Sequence, residues 1–272
     1  MSPASLRGRA VRGMWVGLAM LAGFAAGARV RADEAASGAF GRSDRGTAAL
    51  VGIFYDLKQT QQREPVPGNG KDYAKFVDDF LVSGLDEALF NRFFRAGRPL
   101  YTTQIATGRM NAESAPKAFG VEDVVKPKAW VVHYKGQVAP PVDGIYRFVG
   151  AADDMIVVAI NRRVVLVGNL PSTAFPRLGW KQPVGAGPRV AGSQGAKYGD
   201  WLELKADQPV DIDILIGERP GGIFHALLLY EKKGETYPSL KGEIVLPLFQ
   251  VAPQPMTETH FLTDRPPWRC VD

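Results

Sequence analysis

The chain has one cysteine, Cys270, and three histidines among its 272 residues. A single thiol rules out an intramolecular disulfide framework and any cysteine metal cluster, so stability has to come from a hydrophobic core. The histidines, His133, His225 and His260, are scattered, with no HExxH or comparable spacing to seed a zinc site. A phosphate loop is missing too. In "REPVPGNGKD" (63 to 72) Pro65 stands where its first glycine belongs, and Asp72 where a magnesium-binding Ser or Thr belongs. "AGSQG" sets Ser193 in an approximate nucleophile-elbow pattern, but Ala191 replaces the first glycine and the flanks read as loop, not strand and helix. Nothing here assembles an acid, a base and a nucleophile, and the chain reads as no enzyme.

Long apolar runs are also absent, with one exception. Arg7, Arg9 and Arg12 precede "MWVGLAMLAGFAAGA" (14 to 28), which leads into small residues suited to a signal peptidase. About fifteen apolar residues fall short of the roughly 20 that a spanning helix needs. Residues 1–32 therefore read as a cleaved signal peptide, with the cut after Ala32 preferred over Ala28. That implies a secreted, periplasmic or cell-envelope protein with no transmembrane helix once the signal is removed. The signal holds five arginines and no acid. Taking those five from the 33 basic residues leaves 28, equal to the 28 acidic ones. No basic field remains for a nucleic acid or an anionic membrane.

Residues 33–47, rich in Ala, Gly, Ser and charge, are expected to form a flexible leader. "ALVGIFYDLKQ" (49 to 59) reads as a first strand. Over 72–96 the apolar period becomes helical, through Tyr73, Phe76, Val77, Phe80 and Leu81, then Leu85, Leu89, Phe90, Phe93 and Phe94, so two amphipathic helices joined near Gly84 are expected. Residues 97–128 show no clear period and read as an extended excursion with at most a short helix. From Ala129 onward the chain runs through "AWVVHY", "GIYRFVG", "MIVVAI", "RVVLVG", "DWLELKA", "PVDIDILIG", "IFHALLLYE" and "EIVLPLFQ", separated by turn clusters and no helical run. Consecutive short-linked strands imply a mainly β fold, an antiparallel sandwich or barrel-like module with a small helical insertion. Residues 253–272 form a proline-rich tail, read as a strap or a disordered end.

Two adjacent carboxylates, Asp153 and Asp154, interrupt the apolar strands in "GIYRFVGAADDMIVVAINRRVVLVGN" (144 to 169). Neighbours in a regular strand point to opposite faces, so this pair cannot flank a glycosidic bond as hydrolysis would require. They converge only if the peptide between them leaves the trans extended geometry. Two readings stay open: a turn cap bonding free backbone amides, or a site for calcium, which takes six to eight oxygen ligands in irregular geometry. Asp211 and Asp213, by contrast, alternate with Val210, Ile212 and Ile214 as the solvent face of a half-buried strand.

Taken in order, "GIFYDL", "AWVVHYKG", "DGIYRFVG", "ADD", "MIVVAINRRVVLVG" and "DIDILIGERPGGIFHALLLYE" resemble the protective-antigen domain family (PA-14) over about 49 to 250. The resemblance implies a secreted β-sandwich module over 48–252 that binds ligands without catalysing reactions. It also implies that Asp153 and Asp154 form a cis pair holding calcium, and that the ion ligates sugar hydroxyls. The chain departs from the pattern in two places. The loop that would supply further ligands is "GERPGG" (217 to 222), offering Glu218 and Arg219 but no asparagine, and the hairpin turn is Asn161-Arg162 instead of Asp-Gly. An open sugar site presents an aromatic face, for which Trp180 and Trp201 are the candidates. The expected function is calcium-assisted carbohydrate recognition, with a glycan as partner. The competing expectation is a structural component of the envelope that contacts another protein through the Phe-rich insertion, which requires Phe90, Phe93 and Phe94 to form an exposed patch.

Overall fold

A computed structural model of the chain describes residues 38–46, 48–68, 71–193, 195–253 and 260–271. The chain divides into two units, Met1–Ala35 and Ala36–Asp272, and every described residue belongs to the second. The signal peptide expected at 1–32 lies outside the described residues, as do 33–37 of the leader and 254–259 of the tail.

Among the described residues, fifteen strands run in the order β1 (Leu50–Asp56), β2 (Phe94–Arg95), β3 (Leu100–Thr102), β4 (Ala106–Asn111), β5 (Trp130–Ala139), β6 (Gly144–Asp153), β7 (Met155–Ile160), β8 (Arg163–Val167), β9 (Lys197–Tyr198), β10 (Leu202–Leu204), β11 (Val210–Glu218), β12 (Ile223–Lys232), β13 (Ser239–Leu240), β14 (Glu243–Ile244) and β15 (Arg269–Val271). They form two antiparallel sheets and one small ribbon. The larger sheet has the order β2-β1-β5-β11-β7-β8, with β3 on β1 and β15 on β5; the smaller has β10-β6-β12-β4, with β9 on β6. The fold is the expected antiparallel sandwich.

Alternation decides what each sheet buries. Trp130, Val132 and Tyr134 of β5, Ile156 and Val158 of β7, and Ile212, Ile214 and Ile216 of β11 point inward against Tyr146 and Phe148 of β6 and Phe224 and Leu228 of β12. The opposite face of the larger sheet, Val131, Val157 and Leu215, is covered by the insertion through Tyr73, Phe76, Val77 and Phe80. Val149, Leu227 and Leu229 on the outer face of the smaller sheet lie under Val190, Tyr198, Leu246 and Leu248. Strands covered on both faces read as unbroken apolar runs, and for that reason "MIVVAI" shows no alternation and all six of its residues are buried.

Three expectations need correction, and the competing reading loses the exposed patch it required. Only the first half of the insertion is an α-helix, α1 (Tyr73–Val82). Gly84 and Leu85 then take positive φ, Asp86 caps the amide of Ala88, and Glu87–Phe90 is a single 3-10 turn. Phe94 is drawn away to pair with Asp56 on β1. The stretch 97–128 is more ordered than its lack of period suggests, holding β3, the edge strand β4 and a short helix α2 (Ser114–Ala118). The leader is in part structural: Phe40 is fully buried against Trp130 and Phe224, and its carbonyl accepts from the Tyr134 hydroxyl at 2.8 Å. Finally, Phe90, Phe93 and Phe94 are 1%, 1% and 4% exposed, so the aromatic stripe offers no docking patch.

The described part of the tail is a strap. Cys270 pairs with Val138 of β5, and Trp268 is wholly buried among Tyr146, Phe148, Tyr230 and Phe249, with ring centroids 5.3 to 5.6 Å away. Replacing Trp268 by Ala is expected to destabilise the protein by about 3–5 kcal/mol, the usual cost of emptying so large a site. Equilibrium denaturation measures it, and a loss below about 1 kcal/mol would mean the tail is not part of the core.

Candidate functional site

The chain passes between the two sheets twice at the same end of the sandwich. β6, in the smaller sheet, leads through Asp153 and Asp154 into β7 of the larger one, and β11 ends at Glu218 before a short loop carries the chain back to β12. Because β6 pairs with β12 and β11 pairs with β7, the two crossings lie side by side. That topology brings residues 64 positions apart into one cluster. The Asp153–Asp154 peptide is cis, and one carboxylate oxygen each from Asp153, Asp154 and Glu218 lies within 4.8 Å of the others.

The crossings are held by their own backbone bonds. The amide of Asp154 donates to the carbonyl of Gly217 at 3.3 Å, and the amide of Leu170 donates to the carbonyl of Asp154 at 3.0 Å. The amide of Arg219 donates to Asp154 Oδ2 at 2.9 Å, and that of Gly221 donates to Glu218 Oε1 at 2.8 Å. Glycine is required at 217, since a Cβ there would sit 2.1 Å from the Tyr73 hydroxyl and 2.7 Å from the Trp130 carbonyl. Tyr73, the first residue of α1, thus closes the buried side of the cluster, with its hydroxyl 3.3 Å from that carbonyl.

Asp154 and Glu218 are 3% and 1% exposed, while Asp153 is half-buried. Burial, then the neighbouring charge of Asp154, pushes the Glu218 carboxyl up to about 8. Burial and Asp154 raise Asp153 as well, against a lowering pull from His225 and Arg109. Burial raises the Tyr73 hydroxyl well above its ordinary range, with the charges of Asp154 and Glu218 adding to the effect. Glu218 Oε2 is buried and lacks a hydrogen-bond partner.

The donor set fits a hard cation. It offers carboxylate oxygens only, the kind that calcium, magnesium and manganese prefer. Two oxygens bound to one calcium lie at most about 5 Å apart, given its 2.3–2.6 Å bonds, so the three groups are spaced closely enough to converge on a single ion. The unpartnered Glu218 oxygen is the atom such an ion would satisfy.

The remaining sequence candidates divide. The Arg219 side chain is tied down, its Nη1 donating to the Ser172 carbonyl at 2.9 Å, so the 217–222 loop is braced against the 169–173 loop. Trp180 is half-buried in a cleft of about 350 Å³ that it shares with Asn169, Leu170 and Thr173, next to the segment bonded to Asp154. The buried carboxylate of Asp78 on α1 anchors that loop by accepting from the amides of Arg177 and Leu178, both at 2.9 Å. Trp201 is not brought to the site. It stacks on Arg147, 4.2 Å from the guanidinium carbon to the ring centroid, beside the Tyr146–Leu202 pair near the other end of β6. Arg147 and Asp153 are six positions apart along β6, which amounts to about 20 Å. Sequence reasoning missed three residues: Tyr73, hidden in a helical period; Arg109, in a stretch without period; and His225, whose place opposite Asp153 depends on the pairing of two distant strands.

No protein-family model matches the chain, and no curated protein matches it. PA14 domains are among its structural neighbours. The PA14 sugar-binding domain from an RTX adhesin is 14% identical and covers 75% of this chain and 96% of its own, with a TM-score of 0.41. The A domain of epithelial adhesin 6 from Candida glabrata, in complex with Galβ1-3GlcNAc, is 18% identical over 75% of this chain and 88% of its own, with a TM-score of 0.40. A β-glucosidase from Kluyveromyces marxianus in complex with glucose is 16% identical; 67% of this chain matches 15% of the enzyme at a TM-score of 0.34.

A raised carboxyl pKa has a definite sign in stability. The folded, metal-free protein holds the Glu218 proton more tightly than the unfolded chain, so this contribution is full below pH 4.5 and is lost as pH rises through about 8. Asp153, also raised, acts in the same sense, and His225, lowered by burial, in the opposite one. Glu218→Gln keeps the acceptor for Gly221 and removes the titration. Unfolding measured in chelator from pH 4.5 to 8 should therefore show the variant gaining on the wild type as pH rises. A constant difference between the two would show that Glu218 titrates normally.

Proposed function

We propose that this chain is an exported, non-catalytic carbohydrate-binding module that uses calcium, held by Asp153, Asp154 and Glu218. The observation that carries the reading is the convergence of three carboxyl groups, two of them buried, within 4.8 Å at one end of the sandwich. A merely structural turn needs no third carboxyl group, and burying Glu218 beside Asp154 disfavours its charged form when nothing offsets it.

Calcium bound there would supply positive charge and leave coordination positions for sugar hydroxyls. The protein's own groups do the rest. Asp154 is fixed through the Arg219 amide, Glu218 through the Gly221 amide, and Asp153 presents the exposed side. The braced loops 169–173 and 217–222 form two walls, and Trp180 stands next to the first of them as the aromatic surface for a sugar ring. The arginine-led apolar run within residues 1–32, read as a signal peptide, supports export.

Thermal unfolding in excess chelator and across a calcium titration tests the reading. At a hundredfold excess over Kd, an ion that binds only the native state adds about 2.7 kcal/mol, and at about 2–4 °C per kcal/mol the midpoint should rise by several degrees. Asp153→Asn should lose most of that rise, and glycan binding should vanish in chelator. A midpoint indifferent to calcium in the wild type would sink the metal site.

A further inference from the structure

Beside Asp153, the smaller sheet carries a second, differently charged feature. β4 and β12 pair Met110 with Phe224 and Thr107 with Ala226, so a bulge leaves Gly108 and Arg109 opposite His225. On its other edge His225 pairs with Asp153 of β6. Arg109, His225 and Asp153 therefore stand in a row across three strands, an arrangement that the bulge makes by re-aiming Arg109. Arg109 and His225 line one cleft of about 160 Å³, whose apolar wall is Ala106, Leu227 and Phe261.

The chemistry of this cleft is specific. Arg109 is exposed, and among the described residues it makes no ion pair or hydrogen bond, though it is near enough to Asp153 for their charges to be felt. A neutral hydroxyl needs no permanent cation, whereas a planar guanidinium presents parallel donors that match a carboxylate. The volume falls below the roughly 300–1,000 Å³ of pockets for drug-sized ligands, so it takes one small group and not a chain. An apolar wall with a cation at its rim suits a single ring bearing one acidic substituent.

Resting on the metal reading above, we propose that this cleft selects for acidic sugars: the ligand is a uronic acid, or a glycan ending in one, whose carboxylate is received by Arg109 and His225 while its hydroxyls face the triad. The probes are three pairs differing only in the group at C6, glucuronate with glucose, galacturonate with galactose, and mannuronate with mannose. Each is titrated into the calcium-loaded protein at low ionic strength. At least one acid should bind about tenfold tighter than its neutral partner, as one charge-assisted hydrogen bond provides. Arg109→Gln, a change at an exposed position, should abolish that preference while keeping the calcium-induced rise in thermal midpoint. The proposal is overturned if no acid outbinds its partner, or if the preference persists in the variant. Loss of the calcium effect in the wild type would instead overturn the metal reading, so the two failures are separable.

Discussion

Burying two carboxyl groups against each other is the constraint around which this end of the molecule is organised. Burial beside Asp154 disfavours the charged form of Glu218 unless something positive stands nearby. Each is offset in part by one backbone amide, from Arg219 and from Gly221, and both amides come from the same short loop. The fold supplies the rest of the arrangement: both crossings occur at one end, glycine at 217 lets Tyr73 close in, and Arg219 ties its loop to the neighbouring one. Such an assembly of oxygens is costly as a piece of scaffold and natural as a receptor for a cation.

The layers explain why that end is the one available. The inner faces of the two sheets bury each other, α1 and the 3-10 turn cover the outside of the larger sheet, and the segments around Val190 and Leu246 cover most of the smaller one. Polar groups gather where this cover stops. At one end of the β6–β12 pair Arg147 bonds Glu231 and stacks between Tyr198 and Trp201, and at the other His225 stands beside Asp153. The same alternation that builds the core thus delivers these polar groups to its margins.

Much of the architecture was legible in the sequence because strands covered on both faces betray themselves as apolar runs bounded by turns. "AWVVHY", "MIVVAI" and "IFHALLLYE" are each strands in the structure. Local period misled where tertiary contact overrode it. Phe90, Phe93 and Phe94 carry a helical spacing, yet Phe94 is claimed by β1 and the rest of the turn collapses onto Phe80 and Tyr55. Asp153 and Asp154 could be singled out because charge in an apolar run is conspicuous, and Glu218 because it sits in a turn. Their meeting could not be read, since it depends on the pairing of β11 with β7 and of β12 with β6, strands separated by long stretches of chain. Trp201 shows the reverse: an exposed tryptophan with the right chemistry in the wrong place, about 20 Å away along β6.

Calorimetry addresses the central claim most directly. With its carboxyl pushed up to about 8, Glu218 is mostly protonated at neutral pH, and a cation entering the cluster has to displace that proton. Calcium should be titrated into the metal-free protein at pH 7 in two buffers of different ionisation enthalpy. The expected result is one ion per chain, with heats that differ between the buffers by the release of a large fraction of about one proton per ion. Absence of binding would contradict a calcium site built on Glu218, and heats that do not depend on the buffer would show that its carboxyl is already ionised before the ion enters.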